Sequence, residues 1–359
     1  MKKPRIRTDC IYYKGDIPCI FHKKSGRTCM CNNFEKMGKR IVVIKIGALG
    51  DVIRTTPLIR GLKSKYRNCE IYWLTEHPEI LPDQFCIPLK LNSRNILTLM
   101  GDKFDILINL DKEKIACSLA NILSATKKYG FGLEKGRVAP INRLAMHKWL
   151  TGLDDKLNKA NPKSYLEEIF EICNLKYAHQ DYIINKSKAV VKLPKNWSRP
   201  IIGLNTGCGG RWPTRVWPDL NWMQLIKLIK KKKYTPILLG GLAEDKKNKR
   251  LAKITGAKYL GVLPLLKFVR IIEDCDIVVT SVSMAAQLCI GLNKKMVLFN
   301  NIFNDREFNL KKNQIIIQPN VSCLCCFKTH FDDACETVKC MQLIDPELVL
   351  KKIEMLLKK

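Results

Sequence analysis

The segment Lys45-Ile46-Gly47-Ala48-Leu49-Gly50-Asp51 places a carboxylate directly behind two glycines at the end of an apolar run. Glycines at 47 and 50 permit a tight turn and close backbone approach. The carboxyl ends of strands are where ligands bind in open α/β sheets. Taken alone, Asp51 reads either as a helix cap, worth ~1 kcal/mol, or as a base aimed into a cleft. The GxxG spacing, with no acidic residue at the next strand end, is not the dinucleotide fingerprint.

A second group, Asn205-Thr206-Gly207-Cys208-Gly209-Gly210-Arg211-Trp212-Pro213-Thr214-Arg215, also follows an apolar run and precedes a helical pattern. Backbone amides of Gly209 and Gly210, a helix amino terminus and the guanidiniums of Arg211 and Arg215 would make an anion site suited to a diphosphate. Otherwise the segment is a glycine-rich turn with exposed arginines. A third group is Gly240-Gly241-Leu242-Ala243-Glu244. Glu244 could accept two ribose hydroxyls, or it could merely favour the amino end of the next helix. Cys208 has no base beside it in sequence, so it is not read as a thiolate nucleophile.

These loops need strands and helices to hold them. Residues 40–44, 71–75 and 104–110 are strand-like, and Val52 to Tyr66 shows helical spacing, the alternation of a parallel sheet covered by helices. The pattern restarts after two prolines near residues 191–199. Strands are expected at 201–205, 236–239, 257–261, 277–280 and 296–299, and helices at 217–231, 246–254, 265–274 and 284–292. The chain therefore divides into a cysteine-rich module (1–39), a first lobe (40–190), a linker (191–199), a second lobe (200–344) and a terminal helix (345–359). Its 359 residues, 46% hydrophobic, suit two ordinary domains.

The string IVVIKIGALGDVIRTTPLIRGLK resembles the amino-terminal signature of the lipopolysaccharide heptosyltransferases, glycosyltransferase family 9. The resemblance extends to Asn205 to Pro218. It implies an α/β GT-B fold, two Rossmann-like lobes with parallel sheets, with the acceptor bound by the first lobe and the donor nucleotide by the second. It further implies an inverting glycosyltransferase that moves heptose from ADP-heptose to a lipopolysaccharide-core or related glycan. Asp51 then takes the acceptor proton, with Gly47 and Gly50 in the acceptor loop. Gly209, Gly210, Arg211, Arg215, Glu244 and Ser283 bind the donor, Arg215 standing where the family commonly has Lys. No cofactor is implied for catalysis. The chain departs from the family where Asp-Thr and a later His are usual, carrying Val282, Ser283 and Gln287. Val282 cannot replace a carboxylate, so "glycosyltransferase" is the firmer expectation and "heptosyltransferase" the finer one.

Composition bounds the partners. Lys and Arg outnumber Asp and Glu by 63 to 33, a formal charge of +30, which attracts polyanions. An acidic glycolipid acceptor at the inner membrane's cytoplasmic face fits the family reading. Nucleic-acid recognition motifs are missing, so a specific nucleic acid is not expected, although a basic nucleic-acid binder stapled by metal is the alternative. A noncatalytic sugar- or nucleotide-binding descendant of the fold is another. The basic start is not followed by an apolar secretory core, and no apolar run is long enough to span a bilayer; a cytoplasmic protein is expected, peripheral at most on the membrane. Of the sixteen cysteines, Cys10, Cys19, Cys29 and Cys31 fall in the first module. A structural zinc ion there is the preferred reading, with free thiols, a disulfide or an iron-sulfur centre as alternatives.

Overall fold

The computed structural model describes residues 6–27, 29, 31–185, 193–210, 213–327 and 339–358. Arg211 and Trp212 of the glycine-rich loop, the first two residues of the expected linker and Cys335 lie outside these residues.

The first sheet contains β1 (Arg40–Ile44), β2 (Glu70–Thr75), β3 (Ile87–Lys90), β4 (Lys103–Asn109), β5 (Ser124–Glu134) and β6 (Arg137–Pro140), in the order β3-β2-β1-β4-β5-β6. All neighbours are parallel except β5 and β6. The second sheet contains β7 (Ile201–Asn205), β8 (Thr235–Leu239), β9 (Lys258–Tyr259), β10 (Ile277–Ser281), β11 (Lys295–Phe299) and β12 (Gln314–Ile317). Its order is β12-β11-β10-β7-β8-β9, with every pairing parallel. The most buried strands are near-continuous apolar runs because helices cover both faces: Ile41–Ile44 and Ile277–Val279 are all fully buried.

In both sheets the first strand, β1 or β7, is central, and the chain reverses direction beside it. This makes a crevice at the strand's carboxyl end. The Lys45–Asp51 loop leaves β1 and the Thr206–Arg215 segment leaves β7, so the two sequence-predicted loops occupy equivalent places in the two halves.

The expected helix from Val52 to Tyr66 is two helices, Leu49–Thr55 and Pro57–Lys65. Pro57 has no amide hydrogen, and its ring crowds the carbonyl four residues back. That carbonyl, on Ile53, instead accepts from the Thr56 amide at 3.2 Å and the Thr56 hydroxyl at 2.8 Å. Strands β3, β5, β6 and β12 were not anticipated. The β5 residues Ser124, Thr126 and Lys127 sit at or near the surface without a clean alternation, which hides the period-two signal.

The terminal helix, Pro346–Lys358, buries Val349, Ile353 and Leu356 against the second lobe. Trp217, Trp222 and Phe299 form an aromatic cluster under it, and the Trp217 indole donates to the Ile344 carbonyl at 3.1 Å. Trp217 is thus a core residue. Among the described residues no helix is long and apolar enough to cross a membrane.

Candidate active site

A cavity of about 750 Å³ lies between the halves. Ala48 to Asp51 and Arg54 line one wall, and Gly207 to Gly210, Arg215, Glu244, Val282 to Ala285, Gln287 and Glu307 line much of the other. Its charged lining among the described residues consists of the carboxylates Asp51, Glu244 and Glu307 and the guanidiniums Arg54 and Arg215.

Asp51 lies in the first turn of the Leu49–Thr55 helix, whose amino-terminal cap, Ala48, supplies no side-chain hydrogen bond. Its carboxylate points sideways, 2.8 Å from Arg54 Nη2 and 3.9 Å from Lys45 Nζ, and stays about one-third exposed. Asp51 is therefore a first-turn acid of this helix and not its cap residue. Lys45 is itself 4% exposed, donates to the Gly47 carbonyl at 2.7 Å and is paired with Asp111, a residue the sequence did not single out. Asp111 also accepts from the Ile46 amide. Burial works against charge on Lys45, but Asp51, the Tyr165 hydroxyl and Asp111 together raise its pKa, so the ammonium is retained. Asp111, at the carboxyl end of β4, had no motif to mark it.

Gly50 faces the other half: a Cβ there would lie 3.4 Å from Met284 Cα and 3.6 Å from Gln287 Cγ. Gly47 has open space around its α-carbon.

On the opposite wall, Asn205 ends β7 and holds the glycine-rich loop in place. Its amide donates to the Gly207 carbonyl at 2.8 Å, to Thr280 Oγ1 at 3.0 Å and to Ser283 Oγ at 3.3 Å. Gly209 has φ of 76°, a left-handed conformation that suits glycine. Ser283 precedes the Met284–Gly291 helix without capping it through its side chain. Its hydroxyl instead meets Thr280 Oγ1 at 3.0 Å, which leaves first-turn amides of that helix available to an anion.

Arg215 is 7% exposed and stitches two loops together. Its Nη2 donates to the Cys208 carbonyl at 2.9 Å and its Nη1 to the Val282 carbonyl. Burial pushes the Cys208 thiol upward despite nearby Arg215, in keeping with a thiol rather than a thiolate. Glu244 closes the loop from below. One of its oxygens accepts from the Gly241 amide at 2.8 Å, so it braces its own turn while lining the cavity. Val282 lines the same wall. Gln287, 5% exposed, accepts from the Tyr182 hydroxyl at 3.0 Å. Burial, opposed by Arg54, raises the Tyr182 pKa, which keeps that hydroxyl a donor.

The structure thus brings Asp51, Gly50, Gly209, Gly210, Arg215, Glu244 and Ser283 to one cavity; Arg211 lies outside the described residues. Arg54, Asp111 and Glu307 belong to one network of ion pairs around Asp51 and Lys45 and were missed; Asn205 was part of the second group but was given no role of its own. Arg54 was hidden because its spacing from Asp51, three residues along a helix, is commonplace; Glu307 was hidden because it arrives from another part of the chain.

Cys10, Cys19, Cys29 and Cys31 line a separate cavity of about 350 Å³ in the amino-terminal module, together with His22. Their soft donors suit zinc. Their spacing does not: among the described residues no three His, Cys, Asp or Glu side chains are gathered closely enough to hold an ion.

Comparison with known proteins gives one match by sequence profile. Residues 94–333 match glycosyltransferase family 9 (heptosyltransferase). No curated protein matches by sequence. Among solved structures, a family 9 glycosyltransferase from Veillonella parvula is similar, with 17% identity, TM-score 0.66, and coverage of 89% of this chain and 97% of that one. The Escherichia coli ADP-heptose lipopolysaccharide heptosyltransferase II has 17% identity and TM-score 0.63, covering 89% and 98%. The iron-containing dodecameric glycosyltransferase TibC of enterotoxigenic E. coli has 14% identity and TM-score 0.54, covering 90% and 77%. At these identities the structural likeness establishes the fold, GT-B, in which two parallel-sheet lobes enclose a cleft.

Proposed function

This chain belongs to glycosyltransferase family 9 (heptosyltransferase), and from that premise we propose that it transfers heptose, with inversion, from ADP-heptose to a lipopolysaccharide-core or related glycan. It is a glycosyltransferase; the sugar, the acceptor and the stereochemistry are our reading. The observation that carries it is the opposition of Asp51 to Gly207–Gly210 and Arg215 across one cavity.

In this mechanism the acceptor hydroxyl enters beside Asp51. Its oxygen attacks the anomeric carbon from the face opposite the diphosphate while Asp51 takes the proton. The bond from the anomeric carbon to the diphosphate oxygen breaks, and ADP leaves with the electron pair. Arg215, the amides of Gly209 and Gly210 and the start of the Met284–Gly291 helix stabilise the charge that develops on the leaving group. Glu244 accepts ribose hydroxyls. None of these steps calls on a cofactor.

Structural zinc in the amino-terminal module is part of the proposal, supported by four thiols that share one cavity; the ion would have to draw them together on binding. Metal analysis of the purified protein tests it, and a zinc-free protein whose stability ignores chelators would remove it.

An acidic glycolipid acceptor at the cytoplasmic face of the inner membrane completes the reading. Leu144, Met146, Leu150 and Leu153 are 37%, 40%, 39% and 67% exposed. Arg143 and Lys148 are interleaved with them, and Lys156 and Lys159 follow. Lys148 Nζ stands 5.3 Å from the Tyr165 ring centroid, and that ring also carries Arg54. The patch therefore adjoins the acceptor side of the cavity. Lipid surfaces attract basic groups by ~1 kcal/mol each, and salt screens that attraction. Flotation with anionic vesicles should weaken with salt and with Leu150→Ser/Leu153→Ser. Binding indifferent to both would remove the membrane contact.

A thermal-shift panel with ADP, GDP, UDP, CMP and their sugar conjugates tests the donor, since a ligand that binds only the folded state raises its stability. ADP selectivity is expected. Selectivity for UDP or GDP would keep the fold and overturn the sugar.

A further inference from the structure

Arg54 and Glu307 are the charged groups of the cavity to which neither the loop pattern nor the family resemblance gave a role. The Arg54 guanidinium is the centre of their arrangement. It lies over the Tyr165 ring, 3.5 Å from the centroid. Tyr165 is in turn fixed by its hydroxyl, 3.2 Å from Thr55 Oγ1. From that platform Arg54 Nη2 meets Asp51 Oδ1 at 2.8 Å, and Nη1 lies 3.6 Å from Glu307 Oε2. The Arg54 and Glu307 side chains are only 17% and 13% exposed. Burial opposes the Arg54 charge, but Asp51, the Tyr165 hydroxyl and Glu307 outweigh it and raise its pKa.

The two carboxylates come from different halves. Asp51 sits on the helix after β1, and Glu307 ends the short turn Asp305–Glu307 that follows β11. The loop bearing Glu307 is anchored to the first half independently, because the Asn304 amide donates to the Asn161 carbonyl at 2.9 Å and the Asn158 carbonyl at 3.1 Å. A guanidinium is a rigid planar fork, so a group held at both tines fixes whatever it holds. A lysine at 54 would keep the charge and lose the fork.

We propose that Arg54 is a positioning residue for glycosyl transfer, clasped between Asp51 and Glu307, so that apposition of the two lobes aims the Asp51 carboxylate and keeps it ionised. The proposal rests on Asp51 as the base. It assigns Glu307 a role on the first lobe's chemistry although the residue belongs to the second. When the lobes part, the Glu307 arm is released and the guanidinium can swing on its remaining contact with Asp51. The base is therefore set only in the closed cleft.

The test is steady-state transfer by the full-length enzyme over pH 3 to 9, with ADP-heptose or, should it be inert, the sugar nucleotide selected by the thermal-shift panel. Arg54→Gln should lower kcat by about 10- to 100-fold with little change in donor KM, since the effect is on the base and not on donor binding. It should also move the acid limb of kcat/KM up by about one pH unit, because a neighbouring cation that favours the carboxylate has gone. Arg54→Lys should restore the acid limb but only part of kcat, and it serves equally if Arg54→Gln folds poorly. Glu307→Gln should lower kcat several-fold, and adding it to Arg54→Gln should cost almost nothing more, as members of one unit are not additive. A purely structural clasp would leave the acid limb in place. An unmoved limb in Arg54→Gln, or independent multiplication of the two effects, overturns the proposal. If Asp51→Asn retains full transfer, the base assignment fails instead; if Asp51→Asn is inactive while Arg54→Gln keeps the wild-type limb, only the Arg54 proposal falls.

Discussion

Gly207 and Glu244 are matched in size: a Cβ built on Gly207 would lie 2.0 Å from Glu244 Oε1 and 2.2 Å from its carboxyl carbon. The glycine exists at this point to let an acidic side chain lie along the loop that leaves β7. Two features that read separately in the sequence, a glycine-rich loop and an acid after a second pair of glycines, are one surface in the fold.

We expect Gly207→Ala to act on donor binding through Glu244. The added methyl must displace the carboxylate, so the variant should resemble Glu244→Ala, with donor KM raised several-fold and thermal stability changed by about 1 kcal/mol or less. Nucleotide titrations of both single variants and the double check this. If the double loses the product of the two single effects, the residues act separately and the argument is wrong.

Asp51→Asn removes the proton acceptor while preserving shape. Loss of general-base catalysis typically costs about 100- to 10,000-fold, so transfer should fall into that range while the thermal shift given by ADP stays near wild type. Undiminished transfer would show that Asp51 is not the base. The neighbouring Lys45 and Asp111 pair, buried behind it, is expected to be less tolerant: Asp111→Asn strands a buried ammonium, a defect that commonly costs about 3 to 5 kcal/mol.

Arg215 bridges the Cys208 and Val282 carbonyls, and a lysine can reach only one of them. Arg215→Lys should therefore keep measurable catalysis but weaken donor binding, whereas Arg215→Met should lose about 100-fold or more in kcat through lost stabilisation of the leaving diphosphate. Equal kcat in wild type and Arg215→Met would remove the residue from the mechanism.

Lys112 gives a pH signature unrelated to catalysis. Burial, reinforced by the nearby Lys148 ammonium, lowers its pKa from 10.5 to about 8, while its Nζ donates to the Lys148 carbonyl at 2.7 Å. A lysine depressed in the folded state loses its proton there first, so between about pH 8 and 10.5 the unfolded chain binds more protons and stability rises with pH. Below pH 8 both states are protonated, and the penalty of charging the buried amine is fully felt. Relative to Lys112→Met, the wild type should therefore gain thermal stability as pH rises from 7.5 to 9.5. A pH-independent difference between the two proteins would contradict this.

Local chemistry made much of this protein legible in one dimension. The run IVVIKI, the glycines after it and Asp51 are consecutive, so β1, its loop and the following helix could be read together, as could β7 and the Asn205–Arg215 segment. The family resemblance rested on those same contiguous strings, and the parallel two-lobed architecture followed from their repetition. Strands away from the sheet centres were harder to read. Ser124–Glu134 faces both solvent and core without a fixed period, so its place in the first sheet depends on pairing with β4 through backbone hydrogen bonds that no side-chain pattern records.

What the tertiary structure alone decided is who stands beside whom. Arg54 is three residues from Asp51, yet nothing in that spacing says that it is also held by Glu307, more than two hundred and fifty positions away. Likewise Lys45 finds Asp111, and Gln287 finds Tyr182, only because separate strands and helices end at one cleft. Backbone turns, caps and apolar periods are short-range consequences of residue type. The electrostatics of a site depend on distance in space and on exclusion of water, and both arise only when the two lobes fold and meet.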